Sequence, residues 1–391
     1  SDRLKIGTNF TASRVKSRLA NHSIINALLL MPPAVSIYDE NGNYTYQSEF
    51  ETPLGNPIAT LEKEINTTTT FRALGNVFAE YQLAKGLTAK VSLGADISNN
   101  KQNRYIPSDI YQGANSNPTG KAYVGSKFVT NWLNENTLSY SRNFDGKHSF
   151  NAVAGVTQQG YSSETAVAGS QAFITDLLTY NDLGSGSIYT QPGSAAAKWT
   201  LMSYLAWINY SFNQKYFLTI SGRADGSSRF GKDNKWGYFP SAAVAWNVSR
   251  ESFFPLTPVI SNLKVRLSAG ITGNQEIGQY QSLATLNSST YFFSDQIYIG
   301  FAPNRIANPD LGWETTAQYD GGIDFSLFRN RLNVVFDAYY KKTTDVYYRA
   351  ELFPAELRKC AESRDRAVGQ FGYTGSREFA LEQSARVFCE P

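Results

Sequence analysis

The chain alternates. Leu87, Ala89, Val91, Leu93, Ala95 and Ile97 take turns with Lys90, Ser92, Gly94, Asp96 and Ser98. Leu263, Val265, Leu267, Ala269 and Ile271 do the same with Lys264, Arg266, Ser268, Gly270 and Thr272. Tyr216, Leu218 and Ile220 against Thr219, Ser221, Arg223 and Asp225 repeat the rhythm, and Leu332 to Tyr340 repeats it less cleanly. Successive side chains on a strand point to opposite faces, so each run makes a strand with one apolar and one polar face. The pattern predicts about eleven strands, at roughly 4–17, 67–83, 87–103, 127–143, 148–163, 199–212, 216–225, 237–248, 262–273, 315–326 and 331–346. A soluble β-sandwich would show the same alternation.

Connection lengths separate the two architectures. Short turns are expected at Ala84-Lys85-Gly86, Phe144-Asp145-Gly146-Lys147, Asn213-Gln214-Lys215 and Phe328-Arg329-Asn330. Long loops are expected at about 18–66, 104–126, 164–198, 226–236 and 274–314, with an intermediate connection near 249–261 on the short-turn side. Short and long therefore alternate, which places all the long connections on one rim of an up-and-down barrel. Membrane barrels carry short turns on one side and long loops on the other, whereas a Greek-key sandwich has no reason to sort its loops. The fold class expected is all-β, an antiparallel up-and-down transmembrane β-barrel segment of about 11 strands.

Aromatic positions suit that reading. Tyr140 and Phe144 flank one short turn, Tyr210, Phe212, Tyr216 and Phe217 another, and Trp246 closes a strand. Rings prefer the headgroup level of a bilayer, although cross-strand aromatic pairing would explain them too. No stretch approaches the ~18 apolar residues of a membrane helix; the run Ala27 to Met31 stops at Pro32-Pro33. Only 18% of residues are charged, against about 25% on average, and the net charge of +3 is too small to argue for nucleic acid.

Several ordered segments then carry a resemblance. Gly222-Arg223-Ala224-Asp225-Gly226-Ser227-Ser228-Arg229-Phe230-Gly231 is followed by Gly237-Tyr238-Phe239-Pro240-Ser241 through Trp246. Arg266 to Gln275, leading to Tyr280, comes next, then Asn308-Pro309-Asp310-Leu311-Gly312-Trp313-Glu314 and Asp337 to Asp345. Over about residues 1–348 the chain resembles the TonB-dependent receptors of the SusC/RagA type, found in the outer membrane of Bacteroidetes. The resemblance implies a plug domain inside a 22-stranded barrel and a SusD-like lipoprotein lid. It also implies energy from the TonB–ExbB–ExbD complex through the plug, and oligosaccharide or peptide cargo. Ser1-Asp2-Arg3-Leu4-Lys5 reads directly into an alternating run, so the expectation is a chain that lacks its true N-terminus or a cytosolic one, without the plug domain that the resemblance implies. Residues 349–391 depart from the family: they are Arg/Glu-rich, lose the alternation and hold both cysteines, Cys360 and Cys389. This tail is expected to be an out-of-frame or foreign sequence, or a family-specific extension, with a marginal helix at about 354–367.

Candidate chemistry is sparse, and an enzyme is not expected. His22 and His148 have no metal-ligand spacing to another His or Cys and read as surface residues. Cys360 and Cys389 are close enough in sequence to pair, but nothing nearby argues that they do. Gly222 to Gly231 links two strands and opens no helix, so it is a loop and not a phosphate cradle. Asp39-Glu40-Asn41-Gly42-Asn43 lacks the spaced carboxylates of a calcium loop and reads as a turn. Arg223, Asp225, Lys264, Arg266 and Asp337 are expected on the lumen side, where they either line a polar pathway or simply avoid lipid. The outer-loop aromatics Tyr291, Phe292, Phe293, Tyr298 and Phe301 are the candidate ligand-binding residues, by stacking on sugar rings or by packing on the loop itself or a lid. No cofactor or metal is expected. The expected function is outer-membrane TonB-dependent import of oligosaccharides or other large nutrients, with a secreted all-β carbohydrate-binding or adhesive module and an inactive truncated fragment as alternatives.

Overall fold

In a computed structural model the described residues are 3–21, 23–45, 55–110, 120–254, 259–294, 296–329, 331–347 and 368–374. Twelve strands form one continuous antiparallel sheet. In chain order they are β1 (Leu4–Arg18), β2 (Ile65–Ala84), β3 (Leu87–Ile106), β4 (Lys121–Phe144), β5 (His148–Phe173), β6 (Gly186–Phe212), β7 (Tyr216–Ser227), β8 (Trp236–Asn247) and β9 (Ile260–Asn274). A separate two-stranded hairpin, β10 (Thr285–Phe293) and β11 (Gln296–Arg305), interrupts the next connection. The sheet then resumes with β12 (Glu314–Leu327), β13 (Leu332–Thr344) and β14 (Val368–Thr374). Apart from that hairpin, each strand hydrogen-bonds to its sequence neighbours, as an up-and-down barrel wall must.

All eleven expected strands are present, and three differences have physical reasons. The loop expected at 164–198 is largely strand, since β5 runs for 26 residues and β6 for 27, while β3 and β4 extend a few residues into the connection expected at 104–126. The distal halves of β5 and β6 mix polar, small and apolar residues on both faces, so hydrophobic alternation ceases where the sheet continues. The 274–314 loop contains the β10–β11 hairpin, whose aromatic and β-branched residues suit strands. The 18–66 connection holds two short helices, α1 (Ser23–Leu30) and α2 (Pro57–Lys63). The Asn56 side chain caps α2 by accepting from Ile58 and Ala59 backbone N–H groups, with Pro57 in the first turn. In the tail, 368–374 adds a strand to β13. The helix expected at 354–367, both cysteines and His22 lie outside the described residues.

The tight turns show why the strands reverse where they do. Gly86 adopts φ +82°, with the Ser141 backbone carbonyl packed where a side chain would project. Asn213 and Gln214 take φ of 50° and 55°, the pair of left-handed residues that a type I′ hairpin demands. At Asp39, Oδ1 accepts from the N–H groups of Asn41 and Asn43 at 2.9 and 2.8 Å, and Gly42 has φ +79°. That segment is a turn.

Register assigns the faces. Val77 opposes Leu93, Val244 opposes Leu267, and Ile323 opposes both Val265 and Phe336. The apolar residues therefore line up on one face, and they are exposed: Leu93 is 54% and Leu267 58% accessible. Leaving such a face in water is costly, at roughly 1.5–3 kcal/mol per large side chain; hydrocarbon is its solvent. From Leu87 to Ile97 is ten residue steps, which at ~3.3 Å and a tilt of about 40° spans roughly 25 Å, the height of a barrel's lipid band. Among the described residues no helix is long and apolar enough to cross a membrane. The band is not uniform: Asn134 and Gln158 oppose each other on this face, and Asn136 donates to Asn134 Oδ1 at 3.0 Å.

Tyr140, Phe150, Tyr210, Phe212, Tyr216 and Trp246 share the apolar face at the short-turn rim. Phe217 does not. It opposes Ser211 and Ala245 on the polar face, where Lys264 Nζ sits 5.0 Å above its ring. A buried cluster of Tyr105, Ala122 and Phe173 lies at the other rim, with Ile65, Tyr180 and Leu183 packed against it.

Candidate functional site

The polar face is the first part of the candidate site. Arg223, Asp225, Lys264, Arg266 and Asp337 all fall on it, as the alternation predicts. Several of its charges are matched among themselves, and Lys264 lies over the Phe217 ring. Arg266 grips Asp324 with Nε at 3.1 and 3.0 Å and Nη2 at 2.7 Å, and Nη2 also lies 2.9 Å from Asp337. Arg223 Nε donates to both carboxylate oxygens of Asp225 at 2.9 Å and its Nη2 donates to Ser203. Lys90 pairs with Glu80 at 3.3 Å, and Arg72 with Asp96 at 2.6 Å. Asp320 accepts from Ser268 and Gln318. Such a wall offers hydrogen bonds all along its surface, with its arginines held by carboxylates.

The segments that carry the family resemblance meet in space. Phe230 is 2% exposed and packs against Trp313, ring centroids 5.1 Å apart, and Tyr347, 6.4 Å apart. Phe239 meets the same Trp313 edge-on at 5.2 Å. Gly231 lies against the Pro309 backbone with no room for a side chain, and its N–H donates to the Leu311 carbonyl. Arg229 lies against the Trp199 ring at 4.6 Å and donates to the carbonyls of Gln275 and Ile277 at 3.0 and 2.9 Å. Burial pushes the Tyr347 hydroxyl up to about 12, so it stays a donor to the Asn274 and Gly312 carbonyls. Each motif is thus a bolt between the β7–β8, β9–β12 and β13 connections. No alternation rule would have found this cluster, because Phe230, Trp313 and Tyr347 lie in connections far apart in sequence.

At the same rim Asp176 fastens two further loops. It accepts from Tyr105 Oη at 2.5 Å and from the Ser108 hydroxyl and N–H. Burial works to raise the Asp176 carboxyl, and these hydrogen bonds outweigh it and hold the group below its ordinary value.

The five outer aromatics lie together on the β10–β11 hairpin, but not on one face. Tyr291 opposes Tyr298 on one side, joined by Phe293, while Phe292 opposes Ile297 and Phe301 opposes Ser288 on the other. All five are exposed, from 51% at Tyr298 to 71% at Phe301. The hairpin offers apolar and aromatic surface on both sides.

His148 sits at the opposite rim with Nδ1 2.7 Å from the Tyr210 hydroxyl and its ring 4.8 Å from Phe212. Among the described residues no group of three or more His, Cys, Asp or Glu side chains is placed to hold a metal.

Comparison with known proteins agrees with this architecture. Residues 26–356 match the family model described as TonB dependent receptor-like, beta-barrel. TonB-dependent receptor P3 of Formosa agariphila is 35% identical over 336 residues, which is 85% of this chain and 32% of that protein. TonB-dependent receptor SusC of Bacteroides thetaiotaomicron is 30% identical over 78% of this chain and 30% of its own length. The chain thus spans about a third of the length of these curated relatives. In fold it matches a solved structure of the RagAB peptide transporter with TM-score 0.81 and 24% identity, covering 95% of this chain and 42% of that one. With the polar wall, the apolar band and the one-sided loops already in place, the match leaves one assignment: the chain belongs to the TonB-dependent receptor β-barrel family.

Proposed function

We propose that this chain is wall and outer rim of an outer-membrane importer, energised through TonB, for oligosaccharides or peptides too large for simple pores. The observation that carries the reading is the division of labour in one sheet. One face suits lipid, the other is hydrogen-bonding and charge-compensated, and the elaborate connections all leave from one rim. In this reading a plug fills the barrel, a SusD-like lipoprotein covers the outer rim, and the TonB–ExbB–ExbD complex pulls from below. The relatives support it through their names, as TonB-dependent receptors, and a fold neighbour is titled a peptide transporter. The wall performs no covalent chemistry; cargo is held by contacts at the outer rim, including the aromatic hairpin.

The test is uptake in the native host. Deletion of the gene should abolish accumulation of one class of labelled oligosaccharide or peptide, and a plasmid copy should restore it. Disruption of TonB should abolish it equally. If the protein is recovered in the culture medium without detergent and uptake is unaffected by its loss, the secreted binding-module alternative replaces this reading.

A further inference from the structure

We propose that the outward face of β1–β3, just above the lipid band, docks the phosphate-bearing headgroup of a lipid in the leaflet beneath the long-loop rim. The argument is one of register. On this face the last apolar row runs Ala12, Ala73, Ile97. Two residues higher the row reads Arg14, Phe71, Asn99, with Phe128 beyond it on β4. The next row, about 6.6 Å further along the strands, reads Lys16, Thr69, Lys101. An aromatic row followed at once by a cationic row is the order of chemistries met on leaving hydrocarbon through an interface.

The geometry of the cations fits a phosphate. Lys16 and Lys101 both oppose Thr69, one from each side, so their strands are roughly 10 Å apart. Two flexible ammonium groups on that spacing can close on one phosphate above the Thr69 hydroxyl. Arg14 lies over the Phe71 ring at 5.1 Å, which keeps its stem at the interface and its guanidinium toward the same spot.

The contrast with the polar face sets these residues apart. There Arg72, Lys90, Arg223 and Arg266 each have a carboxylate within 4 Å, and Lys264 and Lys341 each lie over an aromatic ring. Lys16 and Lys101 are exposed, and among the described residues neither has an ion-pair partner. The nearest acid assigned to this face by register is Glu164, two strands from Lys101 on β5. An anchored lipid rather than a free ion is the occupant, because the cationic row adjoins the lipid band and a bilayer presents headgroups there at high effective concentration.

The receptor produced from its native gene would be placed in phosphatidylcholine nanodiscs doped with bisphosphorylated lipid A or with its dephosphorylated form. Lipid retained through washing would be counted by native mass spectrometry. The wild type should retain the phosphorylated form selectively. K16Q/K101Q should weaken retention about twenty-five-fold, roughly fivefold for each cation at a membrane surface. K85Q/K147Q, which removes the same charge from the opposite rim, should retain it like wild type, and heat-modifiable electrophoresis confirms that all three are folded. Equal retention by K16Q/K101Q and wild type, an equal loss in K85Q/K147Q, or displacement by inorganic phosphate would each overturn the proposal. Cargo uptake is read separately, so failure here leaves the importer reading standing.

Discussion

Arg266 on β9 reaches Asp337 on β13, two strands away, because Gly322 on the strand between them has no side chain. Nη2 and Oδ1 are 2.9 Å apart, and Gly322 opposes both residues in the ladder. A Cβ at Gly322 would run into the Asp337 carboxylate and the Arg266 guanidinium. Gly322→Ala should therefore destabilise the wall by about 1–3 kcal/mol, the usual cost of overpacking. Gly321→Ala, which meets only Leu267 Cδ2 at 3.5 Å, is the control and should be close to neutral. Thermal unfolding in detergent distinguishes them.

Phe230 is the keystone of the motif cluster. Phe230→Ala leaves a cavity between Trp313 and Tyr347 and should cost about 3–5 kcal/mol. Because the cavity joins three connections, proteolysis within 228–235 and 306–313 should accelerate together. A melting shift with unchanged cleavage there would show that the cluster does not join them.

Glu251 ties down the short-turn rim and gives a pH signature. Its carboxylate accepts from Tyr216 Oη at 2.6 Å, Lys215 Nζ at 2.9 Å and Trp246 Nε1 at 3.1 Å. These donors, Tyr216 foremost, hold it down at about 2 from 4.5. The folded value lies below the unfolded one, so the stabilisation is complete above about pH 4.5 and is lost as pH falls through about 2. The tryptophan emission difference between Glu251→Gln and wild type should be constant from neutral pH to about 4.5 and collapse by about 2. A collapse centred near neutral pH would contradict the assignment.

Asp176 should behave as a latch on two loops. Asp176→Asn removes charge from the bonds to Tyr105 and Ser108 and should cost about 1–3 kcal/mol, felt locally. Limited proteolysis should open 174–182 before any global change, and Tyr105→Phe should give a milder form of the same pattern.

The hairpin aromatics test cargo contact. Tyr291→Ser with Tyr298→Ser removes one aromatic face and should reduce uptake roughly fivefold or more if that face binds cargo, at unchanged surface abundance. Phe292→Ser with Phe301→Ser probes the opposite face. Uptake unaffected by either pair assigns the hairpin to packing rather than capture.

The membrane-spanning half of this fold was legible because lipid imposes a strict rule on every second residue. Leu87 to Ile97 and Leu263 to Ile271 could be placed, faced and bounded from sequence alone. Above the band water lies on both sides, the rule lapses, and residues 164–173 and 186–198 read as loop although they are strand. Phe217 was misplaced for a related reason: an aromatic beside a turn resembles a girdle residue until register shows its face. The charged residues of the lumen face were found, but their pairing was not, since Arg266 to Asp337 depends on a glycine whose role only the ladder reveals. The cluster around Phe230 was visible only as family resemblance, without its physical reason.

The length of β5 and β6 has a consequence for where events take place. Some 26 steps at ~3.3 Å, tilted by about 40°, rise roughly 65 Å, of which the lipid band takes about 25 Å. The remaining ~40 Å stands clear of the bilayer as hydrogen-bonded sheet, a stiff chimney and not a fringe of loose chain. Under the import reading proposed above, cargo would first touch this chain well above the lipid surface. On that reading the height between the rim and the bilayer would be a distance the cargo travels along sheet rather than along loops.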